Sequence, residues 1–123
     1  MTGDASNARE RARANELLGS GELSLTSKRD GGVHVIALFG ELDLATADSA
    51  EQELRRVEAT DADAIVVDLS GLTFMDSSGA RLLLQAHARE RANANRLKLR
   101  RGPLAVQRVF EISGIADMLP FTD

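Results

Sequence analysis

Residues 72–80, Leu-Thr-Phe-Met-Asp-Ser-Ser-Gly-Ala, constrain the fold of this chain more than any other stretch. They follow an apolar run at 65–69 that is typical of a buried strand, and they precede residues 81–86, whose composition favours a helix. The tetrapeptide Asp76-Ser77-Ser78-Gly79 therefore lies at a predicted strand-to-helix junction. Asp and Ser side chains cap the first N–H groups of a helix, and the helix dipole favours a negative charge there. Any chemistry at this junction is predicted to happen to a serine hydroxyl.

The predicted order of elements is β-β-α-β-α-β-α. Alternating residues at 23–26, an Asp-Gly-Gly turn at 30–32 and an apolar strand at 33–39 predict a β-hairpin. A helix with apolar positions at helical spacing follows, with Asp43 and Thr46 as cap candidates, and it leads to the strand at 65. A helix between two strands predicts a parallel pair with a right-handed crossover. The fold class is therefore α/β: a mixed sheet of four to five strands, mostly parallel after the first hairpin and packed with helices.

The helix after Ser78 carries two apolar stripes. The first is predicted to pack on the sheet and consists of Gly79, Leu82, Leu83 and Ala86. The second lies roughly opposite, and we expect a two-layer domain to leave part of it uncovered: Ala80, Leu84 and Ala88.

The chain divides into two regions by composition. Residues 1–21 are polar, with one clear apolar pair, and predict a flexible or helical N-terminal extension. Residues 22–123 are predicted to form a single domain.

Composition excludes several classes of function. The chain has a net charge of -4 and little aromatic content, which argues against nucleic acid as a partner. It has no cysteine, so disulfides and thiolate chemistry are excluded. No apolar run is long enough to span a membrane and no signal peptide is evident, so we expect a cytoplasmic protein.

Catalytic and metal sites find little support. A serine hydrolase needs a base near its nucleophile, and nothing in the sequence brings His34 or His87 to Ser78. The G-x-S-x-G elbow is absent, and the pattern alone favours a plain helix cap. Acidic residues at 61, 63 and 68 do not form a known metal loop, so no metal and no cofactor are predicted. The basic residues between 89 and 101 are predicted to form a solvated face, with an acidic partner or nucleic acid as the alternative.

Three stretches resemble the bacterial STAS domains, the family of the anti-sigma-factor antagonists. Residues 68–79, Asp-Leu-Ser-Gly-Leu-Thr-Phe-Met-Asp-Ser-Ser-Gly, resemble the family signature. Residues 40–47, Gly-Glu-Leu-Asp-Leu-Ala-Thr-Ala, and 109–115, Val-Phe-Glu-Ile-Ser-Gly-Ile, resemble two further family stretches. The three occur in family order across residues 23–121, and the resemblance implies a STAS-like single domain.

The resemblance also implies a switch protein that is not an enzyme. In this family the unphosphorylated antagonist binds an anti-sigma factor, which is also a serine kinase with a GHKL-type ATPase fold, and so releases a sigma factor. The kinase phosphorylates a serine of the signature and is thereby released, and a PP2C-type phosphatase resets the switch. The phosphoacceptor matches Ser78, with Ser77 as the alternative. The implied partner-binding positions are Glu41, Asp43, Thr46, Asp76, Ser77, Gly79 and Ala80, to which the uncovered stripe adds Leu84.

One departure and two alternatives accompany this resemblance. Ala80-Arg81 stands where many members have Leu-Gly, which predicts an altered partner surface. The alternative function is a structural STAS subunit of a larger signalling assembly without direct sigma-factor control. A weak esterase or nucleotide-handling enzyme is the third hypothesis.

Overall fold

The computed structural model of the chain describes residues 21–122. Five strands form one sheet in the order β1-β2-β3-β4-β5. The strands are β1 (Leu23–Asp30), β2 (Val33–Leu42), β3 (Ala64–Met75), β4 (Leu97–Arg100) and β5 (Phe121–Thr122). The helices are α1 (Ala47–Glu58), α2 (Ser77–Arg91) and α3 (Leu104–Ile112), followed by a short 3-10 helix, Ala116–Met118. Strand β1 is antiparallel to β2 and all other neighbours are parallel, which confirms the predicted hairpin and the α/β class.

The hydrophobic core lies on the helix-covered face of the sheet. Alternate residues of β2 and β3 point to it, among them Ile36, Leu38, Ile65 and Val67, and each is almost fully buried. The opposite face of β2 is less covered, because Val33 is 38% exposed and Val35 and Ala37 are half-buried. Phe39, near the end of that face, is buried.

The structure moves two predicted boundaries. Strand β3 is 12 residues long and continues to Met75, so the first half of the 72–80 stretch is strand and the junction falls at Asp76. The pair Gly102-Pro103 predicts a helix whose first residue is proline, but Pro103 is the N-cap of α3 instead. Gly114 is predicted to end the same helix. It has φ +75 and its N–H donates to the Glu111 carbonyl at 3.0 Å, which confirms this end.

The basic segment at 89–101 is not simply a solvated face. The Arg96 guanidinium is 8% exposed and lies 2.7 Å from the Glu90 carboxylate, itself 2% exposed. Arg96 also donates to the carbonyl oxygens of Glu58, Thr60 and Ala62 at 2.7–3.1 Å. The guanidinium thus connects the end of α1 and the following loop to the end of α2. Its hydrogen bond to Glu90 holds the pKa of that carboxyl below its ordinary value.

The predicted extension, residues 1–21, lies outside the described residues except for Gly21, and the division at residue 22 stays a prediction. The apolar residues between 115 and 121 predict a final strand or a packed tail. The structure has a short parallel strand there, β5, whose Phe121 ring packs edge-on against Phe110 at 5.1 Å. No helix between Gly21 and Thr122 is long and apolar enough to cross a membrane.

Candidate functional site

The candidate site forms where the parallel strands β2 and β3 end. Leu42 and Met75 are paired at the last position of the two strands, so the segments that follow them leave the sheet side by side. The Asp76 N–H donates to the Leu42 carbonyl at 3.2 Å, which extends this pairing to the start of α2. Loops beyond the carboxyl ends of adjacent parallel strands are a common place for binding sites in α/β folds.

Asp76 is the N-cap of α2, as the sequence predicted. Its Oδ1 accepts the backbone N–H groups of Ser78 at 2.8 Å and Gly79 at 3.4 Å. Its Oδ2 accepts the N–H of Leu44, from the loop after β2, at 3.3 Å. One carboxylate therefore caps the helix and holds the neighbouring loop.

The loop at 43–46 is fixed by a reciprocal pair of hydrogen bonds. Asp43 Oδ1 accepts the N–H of Thr46 at 3.1 Å, and Thr46 Oγ1 accepts the N–H of Asp43 at 3.0 Å. The Thr46 hydroxyl also donates to the Glu41 carbonyl at 2.9 Å. Thr46 is the N-cap position of α1, but its side chain makes no bond to a helical N–H, so its role is in the loop.

Gly79 allows α2 to begin close to the sheet. A Cβ at this position would lie 2.6 Å from Met75 Cγ and 2.9 Å from Leu42 Cγ, both buried side chains of the strand ends. Contacts this short are repulsive, so any larger residue would push the first turn of α2 outward. Glycine therefore permits a close approach of the backbone here.

Ser78 lies in a shallow groove between α1 and α2. The groove has a volume of ≈ 230 Å³ and is lined by Leu44, Ala47, Asp48, Glu51, Ser78, Arg81, Leu82 and Gln85. Ser78 is half-buried in this groove, whereas its neighbour Ser77 is exposed. The two candidate phosphoacceptors therefore have different surroundings.

Not all predicted partner-binding residues meet at this surface. Asp43, Thr46, Asp76, Ser77 and Ser78 are brought together by the two loops. Glu41 is half-buried and its Oε2 accepts the Gly21 N–H at 3.0 Å, beside the start of β1.

Ala80 is not on the uncovered stripe that was predicted for it, whereas Leu84 is half-buried and Ala88 is exposed, and the partner-binding role of Leu84 stays a prediction. Ala80 is 2% exposed and belongs to the core, because the sheet and the other helices cover more of α2 than the two-stripe prediction allowed. Leu84 is half-buried and lines a different groove, of ≈ 540 Å³, between α2 and the residues at 117–120. Leu84 is thus on another side of α2 from Ser78.

Leu44 was not predicted as a site residue, and Arg81 was noted only as part of the Ala80-Arg81 departure from the family pattern. Leu44 is 79% exposed, lines the Ser78 groove and is held by Asp76. Arg81 is exposed and lines the same groove. A large apolar residue directly after the cap candidate Asp43 was the available signal for Leu44, and the spacing of three from Ser78 was the signal for the place of Arg81 in the groove.

Neither histidine of the chain is placed to activate Ser78. His34 lies near the amino end of β2, whereas Ser78 follows the carboxyl end of the parallel strand β3. His34 Nε2 is hydrogen-bonded to Ser27 Oγ at 2.6 Å instead. His87 lies more than two turns along α2, in the groove that contains Leu84.

A metal centre is not assembled by the described residues. In residues 21–122, no group of three or more His, Cys, Asp or Glu side chains could hold a metal ion. Of the acids considered from the sequence, Asp61 pairs with Arg29 at 3.1 Å and Asp68 with Arg100 at 3.6 Å.

Comparison with known proteins defines the family. The STAS domain model matches residues 24–123, and the chain therefore belongs to the STAS domain family. The chain is 36% identical over 61 residues to the anti-sigma-F factor antagonist RsfB of Mycobacterium tuberculosis, an alignment that covers 50% of each protein. The chain thus spans about half the length of the curated relatives it matches in this way.

Three solved structures share the fold with substantial coverage. An anti-sigma factor antagonist from Mycobacterium paratuberculosis has a TM-score of 0.75 and 25% identity, over 85% of this chain and 89% of that one. The unphosphorylated form of the anti-sigma factor antagonist SpoIIAA has a TM-score of 0.67 and 26% identity, over 81% of this chain and 89% of that one. SpoIIAA of Bacillus is also known in a phosphorylated form. That structure matches with a TM-score of 0.62 and 25% identity, over 81% of this chain and 92% of that one. The predicted family and fold are confirmed.

Proposed function

We propose that this chain is an anti-sigma-factor antagonist, a binding module that sequesters an anti-sigma factor and is switched off by phosphorylation of Ser78. The observation that carries the proposal is the placement of Ser78. It lies in a groove whose borders are an exposed apolar loop residue, Leu44, and the first turns of α1 and α2. A serine in such a surface is accessible to another protein and is flanked by apolar area that a partner can bury.

Phosphorylation at this place would act mainly on binding. A phosphoserine adds about -1.5 to -2 charge at neutral pH. Burying that charge against a partner without a counter-charge costs several kcal/mol, and about 1.4 kcal/mol already weakens affinity tenfold. The fold of the domain has little reason to change, because Ser78 is only half-buried and its side chain is in no hydrogen bond of the described residues.

The proposal assigns the chemistry to the partners. The anti-sigma factor is proposed to be a serine kinase with a GHKL-type ATPase fold. It transfers the γ-phosphoryl group of ATP to Ser78 Oγ, so that the bond to ADP breaks, a P–O bond forms and the hydroxyl proton is released. A PP2C-type phosphatase would hydrolyse the ester and restore the hydroxyl. This chain is the substrate in both reactions, and it binds where sigma factors act, in the cytoplasm.

Incubation with a candidate kinase and ATP, followed by mass spectrometry of the peptide that contains residues 76–79, tests the assignment. We expect phosphate on Ser78, no phosphate in Ser78→Ala, and normal modification of Ser77→Ala, which is the matched control because Ser77 is adjacent and exposed. Phosphate on Ser77 alone would contradict the assignment.

Binding measurements test the switch itself. Ser78→Ala is expected to bind the anti-sigma factor and resist the kinase, whereas Ser78→Asp is expected to bind poorly while keeping the wild-type melting curve. Wild-type affinity of Ser78→Asp would contradict the switch. Assembly of the chain alone into a large complex on size exclusion would favour the structural STAS subunit instead.

A further inference from the structure

Three of the backbone donors at the start of α2 are already occupied. The N–H groups of Ser78 and Gly79 donate to Asp76 Oδ1, and the Ala80 N–H donates to the Asp76 carbonyl at 3.4 Å. A phosphoryl group on Ser78 would therefore meet a carboxylate where a free helix start would offer N–H donors. The favourable helix dipole remains, but it is shared with the negative charge of Asp76.

The far wall of the groove is also acidic. Asp48 and Glu51, both on α1, line it opposite Ser78. Glu51 is neutralised by Arg55 at 2.7 Å and Arg89 at 3.2 Å, but neither arginine lines the groove. A dianion added here would share the groove with Asp48 and lie beside Asp76, whose carboxylate accepts the Ser78 N–H, so the groove needs a cation if the phosphoryl group is to stay in it.

Among the described residues that line the groove, Arg81 is the only basic one. It is three residues after Ser78 on α2, a spacing that places two side chains next to each other on a helix surface. Its side chain is exposed, and within residues 21–122 no carboxylate forms an ion pair with it. A guanidinium offers several N–H donors in a planar fork that fits phosphate oxygens.

We propose that Arg81 is the counter-ion of phosphorylated Ser78: its guanidinium binds the phosphoryl oxygens within the groove and takes the place of the N–H donors that Asp76 occupies. This inference rests on the proposed phosphorylation of Ser78. Arg81 is a positioning residue for the modified state and has no ion-pair partner within the described residues before modification. The pair holds the phosphoryl group against α2. One guanidinium offsets only part of the phosphoryl charge, so a docking partner still meets net negative charge there.

The test uses the full chain with phosphoserine incorporated genetically at position 78, so that no kinase is needed. The second pKa of the phosphoryl group is measured by phosphorus NMR titration. In Arg81→Gln we expect this pKa to rise by about 0.3–1 unit, because the cation that favours the dianion is lost. Arg81→Lys is expected to restore part of the shift. Arg91→Gln is the control, since Arg91 is exposed on the same helix but lines the other groove.

The outcomes for the counter-ion and for the function are separate. An unchanged phosphoryl pKa in Arg81→Gln, or an equal change in Arg91→Gln, overturns the assignment of Arg81 whatever the kinase does. Failure of the kinase to modify Ser78 in the unmodified chain overturns the proposed function, and the titration then still reports whether the guanidinium binds the phosphoryl group. Equal melting temperatures of the unmodified variants exclude a general loss of structure.

Discussion

Asp76 holds Leu44 through a hydrogen bond of 3.3 Å from the Leu44 N–H to Oδ2, while its other oxygen caps α2. These two residues are 32 positions apart in the sequence and belong to segments that follow different strands. The exposed Leu44 side chain and the Ser78 hydroxyl are thus positioned by a single carboxylate. A change at Asp76 is expected to affect both the stability of α2 and the geometry of the proposed binding surface.

Replacement of Asp76 tests this double role. Asp76→Ala is expected to lower the free energy of unfolding by about 0.5–2 kcal/mol, as is usual for the loss of an N-cap. Amide exchange should increase together at Leu44, Ser78 and Gly79, because their N–H groups share one acceptor side chain. Asp76→Asn keeps an acceptor oxygen and should lose less than alanine. Protection of Leu44 that survives in Asp76→Ala would show that the loop is held by other contacts.

The second prediction compares the stability losses caused by replacing two adjacent leucines of α2, Leu83 and Leu84. Leu83 is fully buried, so Leu83→Ala should lower the free energy of unfolding by about 2–5 kcal/mol. Leu84 is half-buried and only partly packed against the core, so Leu84→Ala should cost clearly less. Denaturant unfolding of both variants measures the difference, and equal losses would mean that the ≈ 540 Å³ groove beside Leu84 closes in solution.

Leu84 also tests where the partner binds. Because Leu84 and Ser78 line different grooves, Leu84→Ala is expected to leave anti-sigma factor binding nearly unchanged, whereas Leu44→Ala should weaken it. Leu44 is 79% exposed, so its replacement should not affect the melting curve. A loss of affinity in Leu84→Ala as large as that in Leu44→Ala would place the partner across both grooves.

Most of the fold followed from local patterns in the sequence. The Asp-Gly-Gly turn at 30–32 predicted the hairpin, and the apolar spacing of Ala50, Leu54 and Val57 predicted the buried face of α1. Asp76 was predicted as a cap because capping depends on residues two or three positions away. These predictions succeed because the residues that cause each feature are close to one another in the sequence.

The features that were missed depend on distant residues. Ala80 was expected on an uncovered stripe, but how far a helix is covered depends on its angle to the sheet and on the helices beside it. The Leu44 contact with Asp76 and the carbonyl contacts of Arg96 join segments more than 30 positions apart. A run of basic residues has the same composition whether its members are solvated or buried in ion pairs.

The buried pair of Glu90 and Arg96 gives a fourth test. Arg96→Ala removes one partner and leaves the Glu90 carboxylate buried, together with three unpaired carbonyl groups, so a loss of about 3–5 kcal/mol in unfolding free energy is expected. Arg91→Ala is the control, because Arg91 is exposed on the same basic segment and should change stability by less than about 0.5 kcal/mol. Similar losses in the two variants would show that the ion pair contributes little.

The last prediction concerns pH and His34. Burial lowers the pKa of His34, and Arg56 and Arg29 lower it further, while Glu53 opposes them. The ordinary pKa of 6.5 applies to His34 in the unfolded chain. As the pH falls, the His34 side chain therefore binds a proton in the unfolded chain before it does so in the folded one.

Acid therefore lowers the free energy of unfolding through His34. The contribution of His34 to stability is complete above pH 6.5 and is lost as the pH falls toward its lowered folded-state pKa. The pKa of Glu90 is also lowered on folding, but protonation of Glu90 reduces stability only below its ordinary pKa of 4.5. The pH ranges in which His34 and Glu90 act are therefore separate.

Unfolding free energies measured between pH 7.5 and 5 should therefore decrease toward acid in the wild type. His34→Gln should flatten part of this slope, which cannot exceed about 1.4 kcal/mol per pH unit for one group. His87 has a pKa that is also lowered, by burial and by Arg91 and Lys98, so His87→Gln measures its separate share. If the variant that carries both His34→Gln and His87→Gln keeps the wild-type slope between pH 7.5 and 5, neither histidine causes the loss of stability in acid. The buried environment of His34 then does not control acid stability.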